Sequence, residues 1–131
     1  MNIPAQWITS PHRPGSAVEL FRKEFTLAGT VKAAVLHVSA LGVYTACLNG
    51  RRLGPGVLAP GWTSAHNRLQ VQTYDVTALL ARENTLTLGL GRGWGADMMG
   101  WARNQAYKDS LPQPSLIAWL EISYEDGTAQ T

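Results

Sequence analysis

The sequence predicts an all-β fold, an antiparallel β-sandwich with one short helix. Three observations carry this reading. Segments in which apolar and polar residues alternate recur at short intervals. Gly, Pro, Asn-Gly and Asp-Gly turn signals separate them. Only residues 75–82 have helical character, whereas a parallel βαβ sheet needs a helix between successive strands. The length of 131 residues suits one domain with a sizeable core, and no repeat of 20–50 residues is present.

Residues 1–19 contain Pro4, Pro11, Pro14 and Gly15 and read as an extended N-terminal arm, with Trp7 and Ile8 as its anchors. The sandwich domain occupies 20–131. In the first strand, 20–27, Phe21, Phe25 and Leu27 face one way and Arg22, Glu24 and Thr26 the other. Lys23 interrupts the apolar side, which fits an edge strand. Ala28-Gly29-Thr30 turns the chain into strand 31–40, with Ala34, Leu36 and Val38 on one face. Strand 43–48 ends in Asn49-Gly50, two residues that tolerate the positive φ of a tight hairpin, and 51–53 is its return. Gly54, Pro55, Gly56, Pro60 and Gly61 mark a long loop, with Val57, Leu58 and Trp62 as apolar pins.

Strand 69–74 leads into 75–82, read as a helix of about two turns. Asp75 is its N-cap and Asn84 its stop. Strand 85–90 points Leu86, Leu88 and Leu90 inward. After a Gly- and Trp-rich segment, strand 115–124 carries Leu116, Ala118, Leu120 and Ile122 on one face. Ile117 and Trp119 lie on the other, so that face needs partial cover. The Asp126-Gly127 turn leaves room for a very short return strand. A sandwich truncated at its C-terminus is therefore expected, with an open strand edge through which the chain could dimerise.

Charge narrows the function classes. Charged residues make up 15% of the chain, against about 25% in an average domain, while Trp is plentiful. Coiled coils and acidic disordered tails are excluded. The net charge of +2 comes from scattered basic residues, not from the stripe that a nucleic acid needs. No apolar run approaches the ~20 residues of a membrane span, and no signal-peptide pattern is present, so a cytoplasmic location is expected. Cys47 is the only cysteine, so no internal disulfide or thiolate cluster is encoded. His12, His37 and His66 lack metal-ligand spacing, no motif demands calcium, and no cofactor or metal is expected. A surface poor in charge and rich in Trp implies cover by a ligand or another domain.

One segment has the makings of a site. The glycines from Gly89 to Gly95 invite a phosphate-loop reading, but the G-x-G-x-x-G spacing fails and no βαβ context surrounds them. Carbohydrate fits better: sugar C–H faces pack on aromatic rings, and hydroxyls seek charged or amide partners. Trp94, Trp101 and Tyr107 could form platforms. Arg92, Asp97, Arg103, Asn104 and Asp109 could form hydrogen bonds. The core of this candidate set is Arg92, Trp94, Asp97, Trp101 and Arg103. The competing reading is that Trp94 and Trp101 pin a long loop onto the sheet or a neighbouring domain. Hydrolysis of a glycoside by this chain alone would need two carboxyl groups flanking one site. Asp97 and Asp109 are the only acidic pair within one irregular segment. No G-x-S-x-G elbow is present, and no catalytic residue is assigned.

Several short motifs occur in a telling order: Phe21-Arg22-Lys23-Glu24-Phe25, Val38-Ser39-Ala40-Leu41-Gly42-Val43-Tyr44, Leu48-Asn49-Gly50-Arg51-Arg52-Leu53-Gly54, Leu58-Ala59-Pro60-Gly61-Trp62-Thr63, Gln72-Thr73-Tyr74-Asp75-Val76-Thr77 and Gly93-Trp94. In this register the chain resembles the N-terminal β-sandwich domain of bacterial α-L-rhamnosidases, from about Trp7 to Tyr124. The resemblance implies a jelly-roll, galactose-binding-like sandwich. It also implies a parent enzyme that inverts configuration while removing terminal α-L-rhamnose. The acidic catalytic residues would reside in a downstream (α/α)₆ barrel, absent here. This domain would be accessory, partnered by the rest of that glycosidase chain. Arg92 stands where members often carry an acidic or amide residue, and Gly95 where an aromatic often follows the Trp. An autonomous module binding rhamnose-containing glycans is the alternative.

Overall fold

The computed structural model describes residues 3–11, 18–64, 67–96 and 112–131. The strands are β1 (Glu19–Thr26), β2 (Val31–Leu41), β3 (Val43–Leu48), β4 (Arg51–Arg52), β5 (Gln72–Asp75), β6 (Glu83–Gly91), β7 (Ser115–Tyr124) and β8 (Ala129–Gln130). A 3₁₀ turn, Thr77–Leu79, and a single-turn helix α1, Gly93–Ala96, complete the described elements. All pairings are antiparallel, in two four-stranded sheets ordered β1-β6-β3-β4 and β5-β2-β7-β8. The expected sandwich is the observed one.

Alternation builds the core. Ala34, Leu36, Val38 and Ala40 of β2 are buried, as are Leu116 and Ile122 of β7. From the facing sheet come Tyr44, Ala46 and Leu48 of β3 and Leu88 and Leu90 of β6. These residues occupy every second position, which is the strand period that puts one face inward. Lys23 sits on β1, an edge strand, and stays exposed. An inward-register lysine at a sheet edge discourages pairing with another chain.

The Asn49-Gly50 turn has φ of 52° and 77°, the left-handed pair that a two-residue hairpin requires. The expected helix over 75–82 is instead one 3₁₀ turn. Asp75 accepts the Thr77 N–H at 3.0 Å, and Leu79 N–H reaches Val76 C=O at 2.9 Å, an i→i+3 bond. Asn84 then captures both backbone groups of Ala81, at 2.9 and 2.7 Å. With Leu80 already extended at ψ 139°, the helix has nowhere to propagate. Val76 therefore occupies the N-cap position, Asp75 braces the turn from two residues before it, and Asn84 is a buried brace opening β6 rather than a simple stop.

Trp119 obtains its cover within the chain. It is 8% exposed and stacks on His37, with ring centroids 4.6 Å apart and planes 10° from parallel. Its indole N–H donates to Glu121 Oε1 at 3.1 Å. The loop pins behave differently. Val57, Leu58 and Trp62 are 74%, 52% and 66% exposed, so none of them is a buried anchor. In the arm, Ile8 anchors through its backbone, paired with Leu116, while its side chain and that of Trp7 remain open to solvent.

Candidate functional site

The Gly-Trp segment follows directly from β6. Gly91 pairs with Val43 at the end of the β3–β6 ladder. Close backbone approach is enforced here. A Cβ on Gly42, which has φ 137°, would lie 2.3 Å from Gly91 C=O. One on Gly93, with φ 50°, would lie 2.3 Å from Val43 Cγ1. Glycine is required at both positions for backbone conformation and for space. This contact fixes where β6 stops and α1 begins, and Ala96 at the end of α1 is fully buried.

The candidate sugar-binding residues divide between described and undescribed segments. Arg92 is half-buried in the link between β6 and α1. Trp94 belongs to α1. Asp97, Trp101 and Arg103 lie outside the described residues, as do Asn104, Tyr107 and Asp109. The structure therefore brings Arg92 and the backbone of Trp94 together at one end of the β1-β6-β3-β4 sheet.

The described polar groups have structural work. Asp75 and Asp126 are held below the usual carboxylate range by hydrogen bonds from Thr77 and Thr128. That is opposite to the shift a glycosidase acid requires. Tyr44 is buried and its hydroxyl lies 3.0 Å from that of Tyr74, and desolvation pushes its phenol above the ordinary tyrosine range. Among the described residues no group of three His, Cys, Asp or Glu side chains could hold a metal ion. None of their helices is long and apolar enough to cross a membrane.

A second surface feature was not legible as a site in the sequence. Val57, Leu58 and Trp62 project from a loop whose backbone is tightly held. Tyr44 N–H donates to Ala59 C=O at 2.7 Å, Gly61 N–H to Leu58 C=O at 3.0 Å, and Arg52 Nη2 to Gly56 C=O at 2.7 Å. Leu58 adopts φ 56° without being glycine, a strained state that persists only where surroundings fix it. The signal available in the sequence was the density of large apolar residues among Gly and Pro, which reads equally as anchoring.

Known proteins match this chain closely. Residues 29–131 match the family described as alpha-L-rhamnosidase N-terminal domain. An alpha-L-rhamnosidase of Streptomyces avermitilis is 43% identical over 117 residues, covering 88% of this chain and 11% of that protein. One from Formosa agariphila is 32% identical over 118 residues, covering 89% and 12%. Among solved structures, the Aspergillus terreus α-L-rhamnosidase superposes with a TM-score of 0.80 at 32% identity, covering 95% of this chain and 15% of that one. The Streptomyces avermitilis enzyme, solved in complex with L-rhamnose, gives 0.78 at 42% identity, covering 88% and 11%. The chain thus spans about a tenth to a seventh of these relatives. A two-sheet sandwich in this strand order, matched over most of its length by such relatives, belongs to the α-L-rhamnosidase N-terminal domain family.

Proposed function

We infer that this chain is an accessory domain of an α-L-rhamnosidase, supporting a catalytic part elsewhere in the parent polypeptide and not hydrolysing glycosides by itself. The carrying observation is that the chain matches an N-terminal domain family while spanning only 11–12% of its curated relatives. The support is mechanical. A loop with a fixed backbone presents Val57, Leu58 and Trp62 to solvent, and exposed apolar side chains are the usual material of a protein interface. Removing the Val57 side chain, 74% exposed, should cost an interface and spare the sandwich.

The test uses an aryl α-L-rhamnoside with this chain and with the full parent enzyme. Hydrolysis is expected from the parent alone, and turnover by the isolated chain would overturn the reading. Val57→Ser should lower the melting temperature of the parent enzyme and leave that of the isolated chain nearly unchanged. Direct rhamnoside recognition is a second reading, supported by Arg92 and Trp94 sharing one sheet end. Titration of L-rhamnose followed by Trp fluorescence tests it, and a flat response at millimolar sugar rejects it.

A further inference from the structure

The β3–β4 turn carries a chemistry that its own structure holds in check. Asn49-Gly50 is the only Asn-Gly pair in the sequence. In such a pair the backbone nitrogen of the glycine can attack the side-chain amide carbon of the asparagine, because no Cβ beside that nitrogen obstructs it. Both residues are exposed here, and a Cβ on Gly50 would meet nothing within 4 Å. Glycine stands at this position for its φ of 77°, not for want of space. What restrains the reaction is the Asn49 side chain. Its Nδ2 donates to Leu79 C=O and to Asn84 Oδ1, and its Oδ1 accepts the Thr85 N–H, each at 2.9 Å. These partners belong to the end of the 3₁₀ turn and the start of β6. Ring closure swings Asn49 Cγ toward the Gly50 nitrogen, whereas the three hydrogen bonds hold the amide toward β6. The anchor is firm. Asn84 is 3% exposed and grips both backbone groups of Ala81 at 2.9 and 2.7 Å.

We propose that Asn49 is a gated deamidation site: the folded network suppresses the reaction, opening of the β3–β4 turn releases it, and the product cannot rebuild the turn. The Gly50 nitrogen gives up its proton and bonds to Asn49 Cγ, the Cγ–Nδ2 bond breaks, and ammonia leaves with that proton. Water then opens the cyclic imide, at one carbonyl to give aspartate and at the other to give isoaspartate. Aspartate puts a carboxylate oxygen where the amide donor stood, facing Leu79 C=O and Asn84 Oδ1, which are both acceptors. Isoaspartate adds a methylene to the main chain, so the left-handed pair of φ 52° and 77° is lost. Either product unties the turn from the 3₁₀ turn and from β6. Strand β4 lies at the sheet edge and pairs with β3 through Arg51 and Arg52, so it is the element that loosens.

The test follows the peptide containing Asn49 and Gly50 by mass spectrometry, with isoaspartate identified by enzymatic methylation. The folded 131-residue chain is compared with the same chain unfolded in urea at the same pH. Three hydrogen bonds must open together, so the folded chain should deamidate at least about 10-fold more slowly. Asn84→Ala removes one partner and should raise the folded rate about 3-fold or more, leaving the rate in urea unchanged. Equal rates in folded and unfolded chains overturn the proposal, as does a folded rate indifferent to Asn84→Ala. If that variant does not fold, the Thr85 amide of the unaltered chain reports the gate, because it donates to Asn49 Oδ1. Its protection from hydrogen exchange should match the slowing of deamidation, and a protected Thr85 amide beside unslowed deamidation overturns the proposal. The deamidated chain, separated by its added negative charge, should unfold at lower urea than the unmodified chain. An unchanged midpoint overturns the loss of the turn.

Discussion

Asn49 is the most informative single position in the fold, and replacing it separates two energies. Its side-chain Nδ2 donates to Leu79 C=O and to Asn84 Oδ1, both at 2.9 Å. Its Oδ1 accepts the Thr85 N–H, also at 2.9 Å. The β3–β4 turn, the end of the 3₁₀ turn and the start of β6 are thereby tied by one residue at φ 52°. Hydrogen bonds of this kind contribute roughly 1 kcal/mol each, and partial solvent access reduces the three to about 2 kcal/mol. The left-handed backbone adds about 1 kcal/mol against Ala, a cost that Gly escapes. Asn49→Ala should therefore destabilise by about 3 kcal/mol and Asn49→Gly by about 2 kcal/mol. At about 4 °C per kcal/mol, the melting temperature should fall by about 12 °C and 8 °C. Urea titration followed by circular dichroism measures both. Equal losses in the two variants would refute the backbone term. Losses below about 0.5 kcal/mol in both would show that water replaces the network without penalty.

Three further outcomes follow from the geometry. Gly93→Ala places a Cβ 2.3 Å from Val43 Cγ1 at φ 50°, so it should cost about 3 kcal/mol in urea unfolding, and pairing it with Val43→Ala should restore part of that loss. Tyr44 keeps its proton more tightly folded than unfolded. Stability should therefore fall as pH rises past about 10, the unfolded phenol value, and Tyr44→Phe should flatten that alkaline slope in melts taken at pH 8 to 11. Asp75 shifts the other way, its carboxyl lowered by Thr77. Its contribution is present above the unfolded carboxylate value and disappears as pH falls through the folded one, so Asp75→Asn should reduce the acid sensitivity of melts between pH 5 and 2, by a small amount because the group is exposed.

The strands were legible because burial at every second position leaves a period that local sequence cannot hide. Residues 31–40, 43–48 and 115–124 alternate, and β2, β3 and β7 lie there. Turn chemistry was equally plain at Asn49-Gly50, where only a few residue types accept the required φ. The 75–82 segment failed for the opposite reason. Its propensity favours a helix, and the competitor that ends it, Asn84 on the backbone of Ala81, acts at a range where side-chain hydrogen bonds override propensity. Exposure was also hidden. Val57, Leu58 and Trp62 are apolar, and composition cannot say whether an apolar residue faces a core or an interface. Of the candidate site, Arg92 links β6 to α1 and Trp94 lies in α1, while Asp97, Trp101 and Arg103 lie outside the described residues.

The low charge and abundant Trp of this chain acquire a more specific meaning from these particulars. Trp119 needs no outside partner, because His37 stacks on it and Glu121 takes its N–H. Trp62 differs in exposure, at 66%. Its loop spends backbone hydrogen bonds and a positive-φ leucine on a conformation that leaves three large apolar side chains in water. A lone domain gains nothing from such an arrangement, since a collapsed loop would bury more apolar area at about 25 cal/mol per Å². The chain spans only about a tenth of its curated relatives, so on the accessory reading proposed above a neighbouring part of the parent polypeptide is what would cover this loop.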